Sequence, residues 1–128
     1  MAIDYTDARR MRLEVDFQFA AAHRLPRYDG PCFRMHGHNY RFSVTIEGDV
    51  DPRSGMVADF GRVKETVHEH VIARADHRNL NDILENPTAE NIARWIWDEL
   101  APHLAGLAQI RLWEIPGCCV VYRGPHGA

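Results

Sequence analysis

Residues 12–23 read RLEVDFQFAAAH, and over their first eight positions polar and apolar side chains alternate without exception. The apolar positions are Leu13, Val15, Phe17 and Phe19. Successive side chains of a β-strand point to opposite faces, so this period predicts a strand with one buried and one solvated face. The same parity continues through Ala21 to His23, where we expect the strand to end.

A second alternating stretch, residues 40–47 (YRFSVTIE), follows a His-Gly-His motif at residues 36–38. The intervening residues 24–34 contain two prolines and one glycine, a composition that predicts a loop. Residues 51–55 (DPRSG) predict a turn, and residues 56–58 are expected to form a short strand or to continue one. Together these segments predict an antiparallel hairpin or meander.

Two helices are predicted in the middle of the chain. Asp59 is a candidate N-cap for a helix running to about Arg74, in which valines recur every fourth residue. Residues 75–87 are expected to form a loop. Thr88 is a candidate N-cap for a second helix, which Pro102 ends. The apolar stripe of this second helix consists of Ile92, Trp95, Ile96 and Leu100.

Two final strands are predicted at residues 110–115 and 119–123, separated by a turn at Pro116-Gly117. The order of elements is therefore β-β-α-α-β-β. It predicts one α+β domain over residues 12–128, a four-stranded antiparallel sheet with two helices packed on one face. Residues 1–11 are polar and unpatterned, and we expect a loose N-terminal extension there.

The composition excludes several classes of protein. With 128 residues, 45% of them hydrophobic and 26% charged, the chain resembles an ordinary globular domain rather than a disordered or fibrous one. It contains no apolar run of about 18 residues and no secretory h-region, so no membrane partner is expected. A net charge of −3 argues against a nucleic-acid partner. Three cysteines, two of them adjacent, favour a reducing, cytoplasmic setting.

Three of the eight histidines form a candidate metal site. His36 and His38 are two apart on a strand, so their side chains point the same way. If the first two strands pair, His23, which we take to point outward, reaches the same place. Three imidazoles with an open fourth position are typical of catalytic zinc, although imidazole also suits copper, nickel or iron. The alternative is two strand histidines that bind no metal.

Two further motifs could supply proton transfer. Cys32 precedes His36 by four residues, and a nearby cation would lower its thiol pKa and make it a base or nucleophile. Alternatively, Cys32 is a fourth ligand that closes a structural zinc site, or a small buried side chain. In the pair Asp76-His77, the carboxylate can orient the imidazole and raise its pKa. A solvated turn is the alternative for that pair.

Glu114 is a candidate ligand-binding carboxylate. It shares the parity of Ile110 and Leu112, so we expect its side chain to face the buried side of the sheet. A buried carboxylate needs a partner, which could be a core arginine or a ligand presenting two parallel N–H donors, such as a pterin or a guanine. The alternative places Glu114 in water at a fraying strand end.

Five motifs in order, spread over residues 13–124, resemble the 6-pyruvoyltetrahydropterin synthase superfamily. They are Phe19-x-Ala21-Ala22-His23-Arg24-Leu25-Pro26, Cys32-x-x-x-His36-Gly37-His38-Asn39, Asp76-His77-x-x-Leu80-Asn81, Pro87-Thr88-x-Glu90-Asn91, and Trp113-Glu114 with Tyr122-Arg123-Gly124. The spacing from Cys32 to His36 is similar to that of bacterial 6-carboxytetrahydropterin synthases of the queuosine (7-deazaguanine) pathway. The 6-pyruvoyl enzymes usually have two more residues there.

The resemblance implies a tunnelling fold, whose subunits join sheet edge to sheet edge into trimers that commonly stack as hexamers. It also implies roles for individual residues. These are a zinc ion on His23, His36 and His38; Cys32 as proton acceptor; Asp76 and His77 as proton relay; Glu114 as pterin anchor and part of the relay; and Thr88 as a second pterin contact. The chain departs from the family pattern in two places: at Ala89, where relatives often carry a second hydroxyl that contacts the pterin, and at residues 115–117, which belong to the pocket rim.

The implied reaction converts 7,8-dihydroneopterin triphosphate to 6-carboxytetrahydropterin, acetaldehyde and triphosphate. Arg24, Arg27 and Arg34 flank the metal ligands and are candidates for phosphate contacts, with ordinary solvated loop arginines as the alternative. Three other functions stay open: a 6-pyruvoyl synthase, an epimerase or aldolase acting on dihydroneopterin compounds, and a non-enzymatic zinc-binding module. One small domain has little room for the whole substrate, so we expect a neighbouring subunit to complete the pocket.

Overall fold

The computed structural model describes residues 9–127. Its first strand, β1 (Arg10–His23), pairs antiparallel with β2 (His36–Asp49) along their whole length, from Arg10 opposite Asp49 to His23 opposite His36. The prediction of a loose N-terminal extension over residues 1–11 is wrong at its end, because β1 already begins at Arg10. Residues 1–8 of that extension lie outside the described residues.

The sheet continues on the other side of β2 with β4 (Leu107–Ile115) and β5 (Cys118–Tyr122), both antiparallel. These four strands confirm the predicted α+β class and the antiparallel meander. A fifth strand, β3 (Arg78–Asn79), runs parallel to the outer edge of β1, so the sheet is mixed and its order is β3-β1-β2-β4-β5.

Two local expectations are wrong. The segment 75–87 is not all loop, because the free edge of β1 offers backbone partners and β3 pairs with it. Residues 56–58 are not a strand. The carbonyl of Met56 instead accepts from the backbone N–H of Asp51 at 3.0 Å, which closes a local turn and leaves no strand partner.

The helices lie on one face of the sheet, as predicted. The first, α1 (Phe60–Val67), continues through a π-helical turn (His68–Ile72) into α2 (Ala73–Ala75), and α3 (Ala89–Leu100) follows. Both predicted N-caps are present: the Asp59 carboxylate accepts from the N–H of Gly61, and the Thr88 hydroxyl accepts from the N–H of Asn91.

The core lies between the helices and the odd-numbered side chains of β1. Phe17 stacks on Phe42, and Phe19 stacks on Tyr40, with ring centroids 5.2 and 5.0 Å apart. The side chains on this face of β1 continue past Phe19 to His23, at the end of the strand, where the candidate site begins. Within residues 9–127, no helix combines the length and apolar character needed to cross a bilayer.

Candidate metal centre

Three imidazoles converge at the end of the β1–β2 pair. His23 lies directly opposite His36, and Ala21 lies opposite His38, so the register brings all three rings together. One ring nitrogen from each of the three lies within 4.8 Å of the others. The sequence prediction of a three-histidine group is therefore matched by the geometry, in which the group could hold a metal ion.

His23 does not point outward as expected. It shares the parity of Phe19 and Ala21, and its side chain is 0% exposed. The polar outer face of β1 belongs to the even-numbered residues. The site therefore lies on the core face of the sheet, at the margin of the hydrophobic core.

Backbone carbonyls hold two of the rings in one orientation. The Nδ1 of His23 lies 2.8 Å from the carbonyl oxygen of Pro87, and the Nδ1 of His36 lies 2.7 Å from that of Arg34. A carbonyl can only accept, so each Nδ1 carries the hydrogen, and in the neutral ring Nε2 then presents a lone pair. This is the usual support of a metal-binding histidine.

The two Nε2 atoms of His23 and His36 lie 3.0 Å apart. With both Nδ1 atoms protonated, two lone pairs face each other at this distance, an arrangement that favours a cation between them. Burial lowers the pKa of His23 and of His38 below the usual histidine value. Both rings are therefore neutral near pH 7, the form that a metal requires. The donor set fits a transition-metal ion.

Glu114 lies beside the imidazoles. It sits where the register of β4 with β5 shifts between Trp113 and Ile115. Its Oε1 is 3.2 Å from the Nε2 of His23 and 3.5 Å from that of His38, and its side chain is 30% exposed. The predicted inward direction holds, but the neighbours in the structure are histidines rather than a core arginine.

Cys32 lies in a short 3-10 turn (Pro31–Phe33), and its carbonyl accepts from the N–H of Leu25 at 2.8 Å. Its thiol is free and partly buried. Among the described residues, the metal-binding group comprises three histidines and includes neither Cys32 nor Glu114. The alternative in which the thiol closes a four-ligand site therefore has no support from this geometry.

Asp76 and His77 form a hydrogen-bonded pair, with Oδ2 and Nδ1 3.0 Å apart. The other carboxylate oxygen of Asp76 accepts from the N–H of Ala20 at 3.0 Å, and this bond is the main reason that the pKa of Asp76 is lowered. His77 has a left-handed backbone, with φ of 59°, and its side chain is 82% exposed.

The pair does not join the three histidines. His77 lines a shallow cleft together with Ala20, Ala22 and Asn39, and His38 also borders this cleft. Ala20, Ala22 and Asn39 alternate with the residues that face the core, so this part of the cleft opens on the other side of the sheet. Among residues 9–127, no hydrogen bond or ion pair joins the Asp76–His77 pair to the histidine group.

The remaining predicted residues surround the site more loosely. Arg27 forms an exposed ion pair with Glu85, with 2.6 Å between nitrogen and oxygen. The guanidinium of Arg24 lies 5.9 Å from the ring centre of Phe33. Arg34 contributes its backbone carbonyl to His36. The hydroxyl of Thr88 is engaged as the helix cap, and it retains its own hydrogen for a ligand.

Sequence reasoning missed two contributors. The carbonyl of Pro87 orients His23 from 64 positions away, and the hydroxyl of Tyr40 lies 3.2 Å from the Nδ1 of His23. Every residue has a backbone carbonyl, so the sequence carries no signal for the contribution of Pro87. Tyr40 shares the parity of His36 and His38, and that pattern could have identified it.

The fold and site together define an α+β protein with a three-histidine group suited to a metal ion. The chain belongs to the 6-pyruvoyl tetrahydropterin synthase family, whose profile matches residues 12–125. A 6-carboxy-5,6,7,8-tetrahydropterin synthase of Synechocystis sp. is 38% identical, with 81% of this chain and 84% of the relative covered. A dihydroneopterin monophosphate aldolase of Pyrococcus furiosus is 36% identical, with 82% and 89% covered.

The structural comparison agrees with the family assignment. The 6-pyruvoyl tetrahydropterin synthase of Caenorhabditis elegans superimposes with a TM-score of 0.83 at 31% identity. The match covers 91% of this chain and 96% of the other. The similarity thus extends over nearly the whole fold rather than over the histidine motifs alone.

Proposed function

We propose that the protein is a zinc-dependent 6-carboxytetrahydropterin synthase that acts in 7-deazaguanine (queuosine) biosynthesis. The observation that carries the proposal is the group of three imidazoles, two of which, His36 and His38, follow Cys32 at a spacing similar to that of the 6-carboxy enzymes. The Synechocystis relative bears that name, which supports the same choice. The free state of all three cysteines is compatible with a reducing cytoplasm.

Zinc would be held by His23, His36 and His38, because three imidazole nitrogens with an open position suit a catalytic zinc ion. When bound, such an ion polarises substrate oxygens and stabilises developing negative charge on them. The protein residues would then bind and orient the substrate and remove its proton. The contacts of the His23 and His36 Nδ1 atoms with backbone carbonyls would hold both rings in place for metal binding.

The substrate would be 7,8-dihydroneopterin triphosphate. Glu114 would accept two hydrogen bonds from the 2-amino group and ring N–H of the pterin, and Thr88 would donate a further one from the start of α3. Cys32 would remove the side-chain proton as a thiolate. Arg24 and Arg34 would contact the triphosphate, whereas Arg27 would first have to leave Glu85.

The reaction balances without an external redox partner. Triphosphate leaves, water is taken up, the side chain is cleaved to release acetaldehyde, and the carbon that stays on the ring becomes the carboxylate. The electrons lost at that carbon reduce the dihydropterin ring to the tetrahydropterin. The protons would pass through the Asp76–His77 pair and Glu114.

A complete site would require two copies of the chain, because no hydrogen bond or ion pair among residues 9–127 joins the Asp76–His77 pair to the three histidines. We propose that a neighbouring subunit supplies this pair, in a trimer-based oligomer arranged as a hexamer in the manner of the family. Mixing inactive C32A and H77A subunits would then restore activity. Random mixing of equal amounts leaves about a quarter of the sites with both groups intact. No recovery would contradict the shared site.

The test of the proposal is mass analysis of the products formed from 7,8-dihydroneopterin triphosphate, with and without a zinc chelator. The proposal expects 6-carboxytetrahydropterin and acetaldehyde, and their loss on chelation. A pyruvoyl product without acetaldehyde would instead identify a 6-pyruvoyl synthase. Release of glycolaldehyde would indicate an aldolase, the activity in the name of the Pyrococcus relative. Absence of any turnover would favour a non-enzymatic zinc-binding module.

A further inference from the structure

Tyr40 lies beside two of the three histidines that could hold the metal. Its side chain is 0% exposed, its ring stacks on Phe19, and its centroid lies 5.9 Å from that of His23 and 5.6 Å from that of His38. Two flanking aromatic layers therefore hold the phenol ring in place. Its hydroxyl reaches the polar side of this packing, at the edge where the imidazoles begin.

The hydrogen-bond geometry limits what this hydroxyl can do. The hydrogen on the Nδ1 of His23 points to the carbonyl of Pro87, which lies closer, at 2.8 Å, than the Tyr40 oxygen at 3.2 Å. The phenol oxygen can therefore accept only the weaker branch of that hydrogen bond. Its own hydrogen is left to donate elsewhere, and a buried hydroxyl normally finds an acceptor.

The strand register indicates the acceptor. Arg41 of β2 lies opposite Trp113 of β4, and Phe42 lies opposite Leu112. Extending this register by one pair places Tyr40 opposite Glu114, on the same face of the sheet. Side chains directly opposite each other in an antiparallel pair have Cβ atoms about 4.5–5.5 Å apart. The register thus points to the Glu114 carboxylate, whose Oε1 lies 3.2 Å from the Nε2 of His23, as the acceptor.

We infer that Tyr40 is a positioning residue, whose hydroxyl links the His23 imidazole to the Glu114 carboxylate and fixes the position of the substrate anchor relative to the metal. The inference rests on the proposed function for the roles of His23 and Glu114. It adds a group that touches neither metal nor substrate. The phenol acts by fixing the positions of the two side chains that do.

The test is Y40F, which removes the hydroxyl and leaves the ring that packs against Phe19. We expect a protein with an unchanged circular dichroism spectrum that binds zinc about tenfold more weakly in a chelator competition, the low end of the usual effect of a group supporting a metal ligand. Its affinity for the non-reacting probe 7,8-dihydroneopterin should fall by a similar factor. Y122F, the same change on β5, is the matched control and should alter neither affinity.

A double-mutant cycle separates positioning from a general effect on folding. If the hydroxyl acts through Glu114, the loss of zinc affinity caused by Y40F should shrink at least threefold in an E114Q background. Equal losses in both backgrounds, or a Y40F protein that binds zinc and the pterin as tightly as the unaltered chain, would overturn the inference. Failure of the proposed function would appear separately, as absence of turnover in the unaltered protein.

Discussion

Replacing Cys32 with alanine distinguishes an enzyme from a structural zinc protein most directly. The thiol lies outside the group of three histidines that could hold the metal, and it belongs to a short turn in which only its backbone carbonyl has a hydrogen bond to Leu25. Alanine preserves that carbonyl. The substitution should therefore leave both the fold and the metal group intact.

The expected magnitudes follow from this placement. A partly exposed side chain with no packing role in the core costs about 0.5 kcal/mol or less when truncated, so the melting temperature should move by about 2 °C at most. Zinc should remain bound at one ion per chain. Turnover should fall by about 10²- to 10⁴-fold, the usual contribution of a positioned proton acceptor.

The assay combines three measurements on the same preparation: metal content after dialysis, melting temperature, and product formation from 7,8-dihydroneopterin triphosphate. Cys118→Ala is the matched control, since Cys118 is also a free thiol but is exposed and lies on β5. It should match the unaltered chain in all three measurements. Loss of zinc from C32A would show that the thiol is a metal ligand, and full turnover in C32A would show that the thiol is not the base. Either result would refute the reasoning.

Three further predictions address stability and pH. Thr88→Ala removes the cap of α3 and should destabilise the fold by about 1 kcal/mol, seen as a melting temperature a few degrees lower; an unchanged melting temperature would contradict the cap. Because burial lowers the pKa of His23 and His38, zinc affinity should begin to fall only below the usual histidine pKa of about 6.5, as protons displace the metal, measured by competition titration. The Ala20 N–H lowers the pKa of Asp76, so its carboxylate stabilises the fold above about pH 4 and loses that effect as the pH falls. D76N should therefore melt below the unaltered chain at pH 7, and this difference should shrink in acid.

Regular periodicity made most of the fold predictable. The alternation in residues 12–19 and 40–47 predicted β1 and β2, and Asp59 and Thr88 predicted the helix starts. The failures lie where pairing partners are distant in sequence. β3 has only two residues and no pattern of its own, and it exists because the edge of β1 lies free beside it.

The candidate site was predicted in composition but not in arrangement. The His-Gly-His motif shows the direction of two ligands because a strand has a fixed period, whereas the orientation of each ring depends on the carbonyls of Pro87 and Arg34. Glu114 was expected on the buried side, but its proximity to the imidazoles depends on the register of β4 against β2, in which Arg41 lies opposite Trp113. A register of this kind is set by pairing between strands, which one strand's sequence does not encode.

The position of the site at the end of the core links metal binding to folding. His23 continues the row of Phe17, Phe19 and Ala21, so the packing that buries these side chains also excludes water from its ring. This burial lowers the pKa of His23 and leaves its Nε2 as an unprotonated donor. A metal bound there selects the folded chain over the unfolded one, so zinc should raise the melting temperature in proportion to the logarithm of its free concentration. Substitutions that loosen the row, far from any ligand, should then weaken metal affinity as well as stability.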